Sequence, residues 1–325
     1  MRKVSTFGQT TNNNANSNDV GKVTPIKPEI PTIKKKYEGW HVIILGNGFD
    51  LYLNRKTKFE HFYDDDKYCP KNYDAPLIHF LNQQIKEKTK TYYRWYDFEN
   101  ELLNYTESDD FKANRYFVSD NYKRDFEAFK LIKTGIRDYM SEITQNEDSL
   151  NINYLISKYF PYDTEEHRVI YSFNYTGIPS ILGGSDKDSE FHFVHGSCVF
   201  DNIILGTCEK KDLPEEYWFL QKVFDPNYNP DYSATDLLSA SKVTFFGHSL
   251  GYNDRPYFEA FFKRQCDSEK AKKDMEINIF TYDDDSVMKI KHSLQKLTDY
   301  HLSDLYEYSS KFRIVTTKGK EADLL

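Results

Sequence analysis

Two periods of hydrophobic positions organise this chain. The first strong run reads His41-Val42-Ile43-Ile44-Leu45-Gly46-Asn47-Gly48-Phe49-Asp50. Four consecutive apolar residues, three of them β-branched, predict a strand buried on both faces. Gly46 and Gly48 predict a sharp turn. Asp50 is placed to cap a first helix over residues 51–62. From 76 to 160 the period becomes helical: Leu77, Phe80, Leu81 and Ile85 share one face, and Tyr122, Phe126, Phe129, Ile136 and Met140 share another. Short apolar runs return at 167–173, 191–194, 202–205, 242–246, 277–281 and 313–316 and read as strands. Helices are expected at 214–223, 233–240, 255–266 and 285–298. Strands alternating with helices predict an α/β fold, a Rossmann-like, mostly parallel sheet with helices on both faces. The stretch 76–160 is then a helical insertion after the first βα unit. Residues 1–36 are Asn-rich, then carry Pro25, Pro28, Pro31 and Lys34-Lys35-Lys36, and are expected to be a disordered tail. Residues 37–325 are expected to form one domain.

Composition narrows the function classes. A formal charge of −8 and a pI near 5.7 argue against a general binder of nucleic-acid backbones. No apolar run is long enough to span a membrane, and the polar residues 1–22 lack the apolar core of a signal peptide. Cys69, Cys198, Cys208 and Cys266 are scattered without a Cys-x-x-Cys pair, so a structural zinc site is not expected and a reducing, cytoplasmic setting is. Asp64-Asp65-Asp66 reads as a solvated turn, and no metal is called for.

Ligands of parallel sheets sit at the carboxyl ends of strands. The first strand ends in Gly46-Asn47-Gly48-Phe49-Asp50, the next in Asn174-Tyr175-Thr176, then come His195-Gly196-Ser197, Gly206-Thr207 and Gly247-His248-Ser249-Leu250-Gly251, with Asn253-Asp254 just beyond. Singly, each is bland: Asn174 satisfies turn backbone, and a lone histidine is often a half-buried one. Five such ends on one rim suggest a site. The amides of Gly46 to Phe49 suit a phosphate, which a Cβ at Gly46 is expected to obstruct. The third glycine of a dinucleotide fingerprint is missing.

These motifs, in this order, resemble the AbiH-type bacteriophage abortive-infection family over roughly residues 40–285, and Trp95-Tyr96-Asp97-Phe98-Glu99 fits the same family. More distantly they are similar to sirtuin-like NAD-binding domains. That resemblance implies that Gly46, Asn47, Gly48, Phe49 and Asp50 contact the pyrophosphate side. It implies that Asn174 and His195 are catalytic at the nicotinamide ribose, and that Gly247, His248, Ser249 and Asp254 hold the adenosine side. The four-cysteine zinc module of deacylating sirtuins is absent, so the resemblance implies an NAD hydrolase of phage defence rather than a deacylase. NAD would be the substrate, cleaved through a cationic ribosyl transition state. His195, with an ordinary pKa near 6.5, is expected to act as general base. Truncation of Asn174 or His195 at these loop positions is expected to cost little packing. A phage-derived trigger and a homo-oligomer are further partners this reading allows.

Two other classes compete. Gly247-His248-Ser249-Leu250-Gly251 matches a nucleophile elbow, with Phe193-Val194-His195-Gly196 as an oxyanion loop. Tyr252, Asn253, Asp254 and Pro256 interrupt the helix that should follow, and no partner for Ser249 is expected from His292 or His301. The other class is a non-catalytic nucleotide sensor or a toxin component.

Overall fold

The computed structural model describes residues 40–88, 98–109, 111–112, 120–145, 158–160, 166–184, 189–228 and 232–318. The expected tail at 1–36 lies outside them. Strand β1 (His41–Leu45) is buried along its whole length. Its alternate side chains enter two different cores, Val42 and Ile44 on one face and Ile43 and Leu45 on the other. That is why this segment has no polar alternation.

Six parallel strands form one sheet: β1, β2 (Arg168–Ser172), β3 (Glu190–Phe193), β4 (Lys242–Phe246), β5 (Glu276–Thr281) and β6 (Lys311–Thr316). Their order is β3-β2-β1-β4-β5-β6. Chain direction across the sheet therefore reverses at the β1/β4 neighbour pair, where Leu45 stands opposite Phe246. On the other side Leu45 stands opposite Ser172 of β2. One face packs on Leu237, Phe258, Phe261, Phe262, Ile290 and Leu294; the other packs on Phe49, Leu53, Phe160 and Leu182.

The first helix differs from expectation. Helix α1 (Asn47–Tyr52) starts inside the glycine turn, with Gly46 at its N-cap, and Asp50 lies within it rather than capping a later one. Asn54 takes φ +62 and breaks the chain before α2 (Phe59–Asp64). The run at 202–205 is not a strand. Gly196, at φ +69, folds this segment back so that Ile204 N–H donates to His195 C=O (2.8 Å), and Tyr175 takes the Ile204 carbonyl (3.2 Å). Ile203 and Leu205 then pack among helices, not into the sheet. The expected helix at 214–223 is two 3₁₀ turns, Glu215–Leu220 and Lys222–Phe224.

Between β1 and β2 lie α3 (Pro76–Lys88), α4 (Phe98–Glu107) and α5 (Asn121–Gln145). Leu77, Phe80, Leu81, Ile85, Phe129, Ile136 and Met140 are buried among them. Phe126 stays 41% exposed and meets Phe219 edge-on (5.1 Å). The helices are tied by one buried carboxylate. Asp125 of α5 accepts from Leu77 N–H at the start of α3 (2.8 Å), from Tyr105 OH of α4 and from Tyr217 OH (3.3 Å). It thereby satisfies an orphan helix donor and two buried hydroxyls at once. Among the described residues no helix is long and apolar enough to cross a membrane.

Asp125→Ala leaves three buried donors without an acceptor and is expected to lower stability by about 3 kcal/mol. Urea unfolding checks it. A loss below about 1 kcal/mol would mean that the carboxylate does not hold these helices together.

Candidate functional site

Backbone meets backbone where β1 and β4 end. Gly46 N–H donates to Phe246 C=O (3.0 Å) and Gly48 N–H to Gly247 C=O (2.9 Å). A Cβ on Gly46 would lie 2.4 Å from His248 Cα; one on Gly247, which has φ +65, would lie 2.2 Å from Phe49 N. These glycines are therefore required by the approach of two turns, with or without a phosphate. The expected obstruction at Gly46 is a collision with the β4 turn. Phe49 N–H is also spent, on Gly46 C=O (2.8 Å). Of the four amides from Gly46 to Phe49, Asn47's makes no hydrogen bond among the described residues.

Side chains of the same turn act as ties. Asn47 accepts from Thr57 Oγ1 and donates to Thr57 C=O (3.3 Å). Asp50, 1% exposed, accepts from Arg55 (2.8 Å) and from Thr176 Oγ1 (2.8 Å), and Arg55 also donates to Gly177 C=O (3.2 Å). Asn174 Nδ2 donates to Gly46 C=O (3.0 Å), which joins the β2 end to the β1 turn. Its truncation therefore removes a buried tie, contrary to the expectation of little packing cost.

These ends enclose a cleft of about 200 Å³. Gly46, Asn47, Asp50, Asn174, His195, Gly247, His248, Ser249 and Asp254 all line it. Of the residues that the resemblance assigns to the site, Gly48 and Phe49 do not, and neither do Gly206 and Thr207 of the strand ends; Phe49 is buried against Phe246. Helical residues supply another wall, including Phe98, Glu99, Ile136 and Met140.

Charge concentrates on one side. Lys222 Nζ lies 2.8 Å from Glu99 Oε2, 3.7 Å from Asp254 Oδ1, and donates to His195 Nε2 at 3.0 Å. Asp254 Oδ2 is 3.3 Å from His248 Nε2. His248 Nδ1 accepts Leu250 N–H (3.0 Å), so its proton is on Nε2 and faces Asp254. His195 Nε2 also lies 3.3 Å from Asp254 Oδ1. That contact is not a donated hydrogen bond, because Nε2 already takes the lysine proton. Asp254 Oδ1 is thus buried without a hydrogen bond.

Burial, joined by the Lys222 charge, lowers the His195 pKa to about 4 against the pull of Asp254. The ring is neutral at neutral pH and is a much weaker base than the expected 6.5 implies. Burial works to raise Asp254, but the Lys222 charge and the His248 N–H outweigh it and hold the carboxyl well below the usual range. Sequence reading missed Lys222 and gave Glu99 no role. The available signal was a single lysine inside the apolar run Tyr217-Trp218-Phe219-Leu220-Gln221-Lys222-Val223-Phe224.

Ser249 is exposed, and among the described residues no hydrogen bond joins its Oγ to a histidine. His301 instead faces Asp304 (3.2 Å). Backbone strain falls on Leu250 (φ +52), and the next helix, α7 (Arg255–Gln265, after α6 at Ala234–Ser239), begins only past the turn Tyr252–Asp254. This is not the geometry of a nucleophile elbow.

Two outcomes are expected. Below pH 6.5 the unfolded chain protonates His195 while the folded chain does not until about pH 4. Stability therefore falls across that window as pH drops, by on the order of 3 kcal/mol from this residue. His195→Gln should flatten the slope of unfolding free energy against pH there by about one proton; an unchanged slope would contradict the assignment. Gly46→Val should lower the thermal midpoint by many degrees, and a variant of wild-type stability would disprove the turn-on-turn collision.

A family model described as bacteriophage abortive infection AbiH matches residues 42–272, from β1 through α7. No curated protein matches, nor does any solved structure, so the sirtuin-like resemblance rests on the motifs alone. The match covers most of the chain: it belongs to the AbiH family of bacteriophage abortive infection.

Proposed function

We propose that this AbiH protein cleaves the nicotinamide–ribose bond of NAD in the cleft where β1 and β4 meet, and so depletes the cytoplasm of NAD during infection. The observation that carries the reading is Asp254 Oδ1: an oxygen of an ionised carboxylate, buried, at the cleft, with no hydrogen bond. Breaking the bond builds positive charge on the ribose while nicotinamide leaves with the electron pair. A preorganised anion stabilises that charge strongly where water is excluded. Water then adds to the ribosyl carbon, giving ADP-ribose and releasing one proton to solvent.

The volume supports a nicotinamide-riboside end in the cleft rather than a whole dinucleotide, since about 200 Å³ is below the roughly 300–1,000 Å³ of drug-sized sites. The remainder of NAD would extend over the open rim past Ser249 and the Asn47 amide. His195 serves as a neutral hydrogen-bonding group facing the cleft, and Asn174 holds the turn against which the ribose lies.

Incubation of the purified protein with NAD, with phage components added, should release nicotinamide. Asp254→Asn should cut that release by ~10²–10³ while NAD binding by calorimetry persists. His195→Ala should also impair release. Binding without release by the wild-type protein would favour a sensing role, and absence of both would overturn the proposal.

A further inference from the structure

Behind three residues of the cleft wall, Glu99, His195 and Asp254, stands a lysine with a fixed seat. Its 3₁₀ turn is held at both ends: Lys222 N–H donates to Thr207 C=O (3.0 Å) and Thr207 N–H to Leu220 C=O (2.8 Å). Asp225, next after the turn, pairs with Lys133 of α5 and is nearly enclosed. Just before it, Tyr217 reaches Asp125, and Phe219 packs on Phe126 and Phe129. The ammonium itself is buried between Glu99 of α4, His195 from the β3 end and Asp254 from the β4 end.

A protonated amine only donates. His195 Nε2 must therefore offer its lone pair, which puts the ring proton on Nδ1. Were Lys222 removed, Nε2 would be free to carry the proton, and Asp254 Oδ1 lies 3.3 Å away to accept it. The lysine sits 3.7 Å from that oxygen, close enough to neutralise it and too far to hydrogen-bond it. We propose that Lys222 is the positioning residue of this site, a built-in cation that sets the His195 tautomer and thereby leaves one buried oxygen of Asp254 without a hydrogen bond. Only its consequence for turnover rests on the NAD reading; the tautomer does not.

The groups facing His195 are Lys222, Asp254, His248 (whose ring meets Phe173, as does that of His195) and Tyr257 (ring centroids 6.2 Å from His195), with Glu99 behind Lys222. Of these, Lys222 is the cation whose loss reverses the balance at Nε2.

The test is ¹⁵N NMR of the histidine rings in the full chain. Wild-type His195 should show a protonated Nδ1 and a bare Nε2, and should remain neutral from pH 8 to 5. Lys222→Met should move the proton to Nε2 and raise the pH at which the ring titrates. Lys222→Arg should retain the wild-type tautomer. A wild-type ring protonated on Nε2, or a folded Lys222→Met protein with unchanged tautomer and titration, overturns the proposal. If Lys222→Met does not fold, the wild-type tautomer decides alone. With the NMR result as expected, loss of nicotinamide release in Lys222→Met with partial rescue in Lys222→Arg extends it to catalysis. The same NMR result without NAD turnover in any form refutes the NAD reading and leaves Lys222 as the positioning cation.

Discussion

The approach of two turns without side chains between them underlies the architecture of the site. Gly46, Gly48 and Gly247 allow the β1 and β4 ends to touch backbone to backbone, and two amide–carbonyl bonds fasten them. Strand order places these two ends side by side at the point where the order of the parallel strands reverses, which is where open parallel sheets leave a crevice. Asn174 then ties the β2 end to Gly46, and Asp50 with Arg55 ties Thr176 and Gly177 to α1. A bulkier turn at any of these points would separate the residues that line the cleft.

The second half of the site comes from elsewhere. Glu99 reaches the cleft from α4, Lys222 contacts its lining from a 3₁₀ turn braced on α5, and His195, His248 and Asp254 come from the sheet rim. The helices between β1 and β2 are thus part of the cleft's electrostatics. Burying two carboxylates and one ammonium beside two imidazole rings is costly unless geometry is tight. The paired contacts between 2.8 and 3.7 Å supply that geometry.

Much of this was legible in the chain. Continuous apolar runs such as Val42 to Leu45 identify strands covered on both faces, and the polar residues that follow them identify the rim. The misreadings have physical causes. Residues 202–205 have the composition of a strand, yet the backward turn at Gly196 assigns their carbonyls and amides to His195 and Tyr175. The glycine turn was read as a phosphate cradle because local sequence does not reveal that its amides are spent on β4. Lys222 was invisible for the same reason: its partners are distant in sequence, and only packing brings them to 3 Å. The neutral state of His195 likewise follows from burial and that lysine, neither of which a motif encodes.

The central claim is that this cleft receives the ribosyl end of a nucleotide against Asp254. Its most direct test is NAD titration monitored by ¹H–¹⁵N correlation of the full chain, with nicotinamide riboside in parallel. Shifts at Gly46, Asn174, His195, His248 and Asp254, produced by both ligands and persisting at the other four residues in Asp254→Asn, are the predicted result. Shifts confined to residues away from this rim, or no shifts at millimolar ligand, would contradict it.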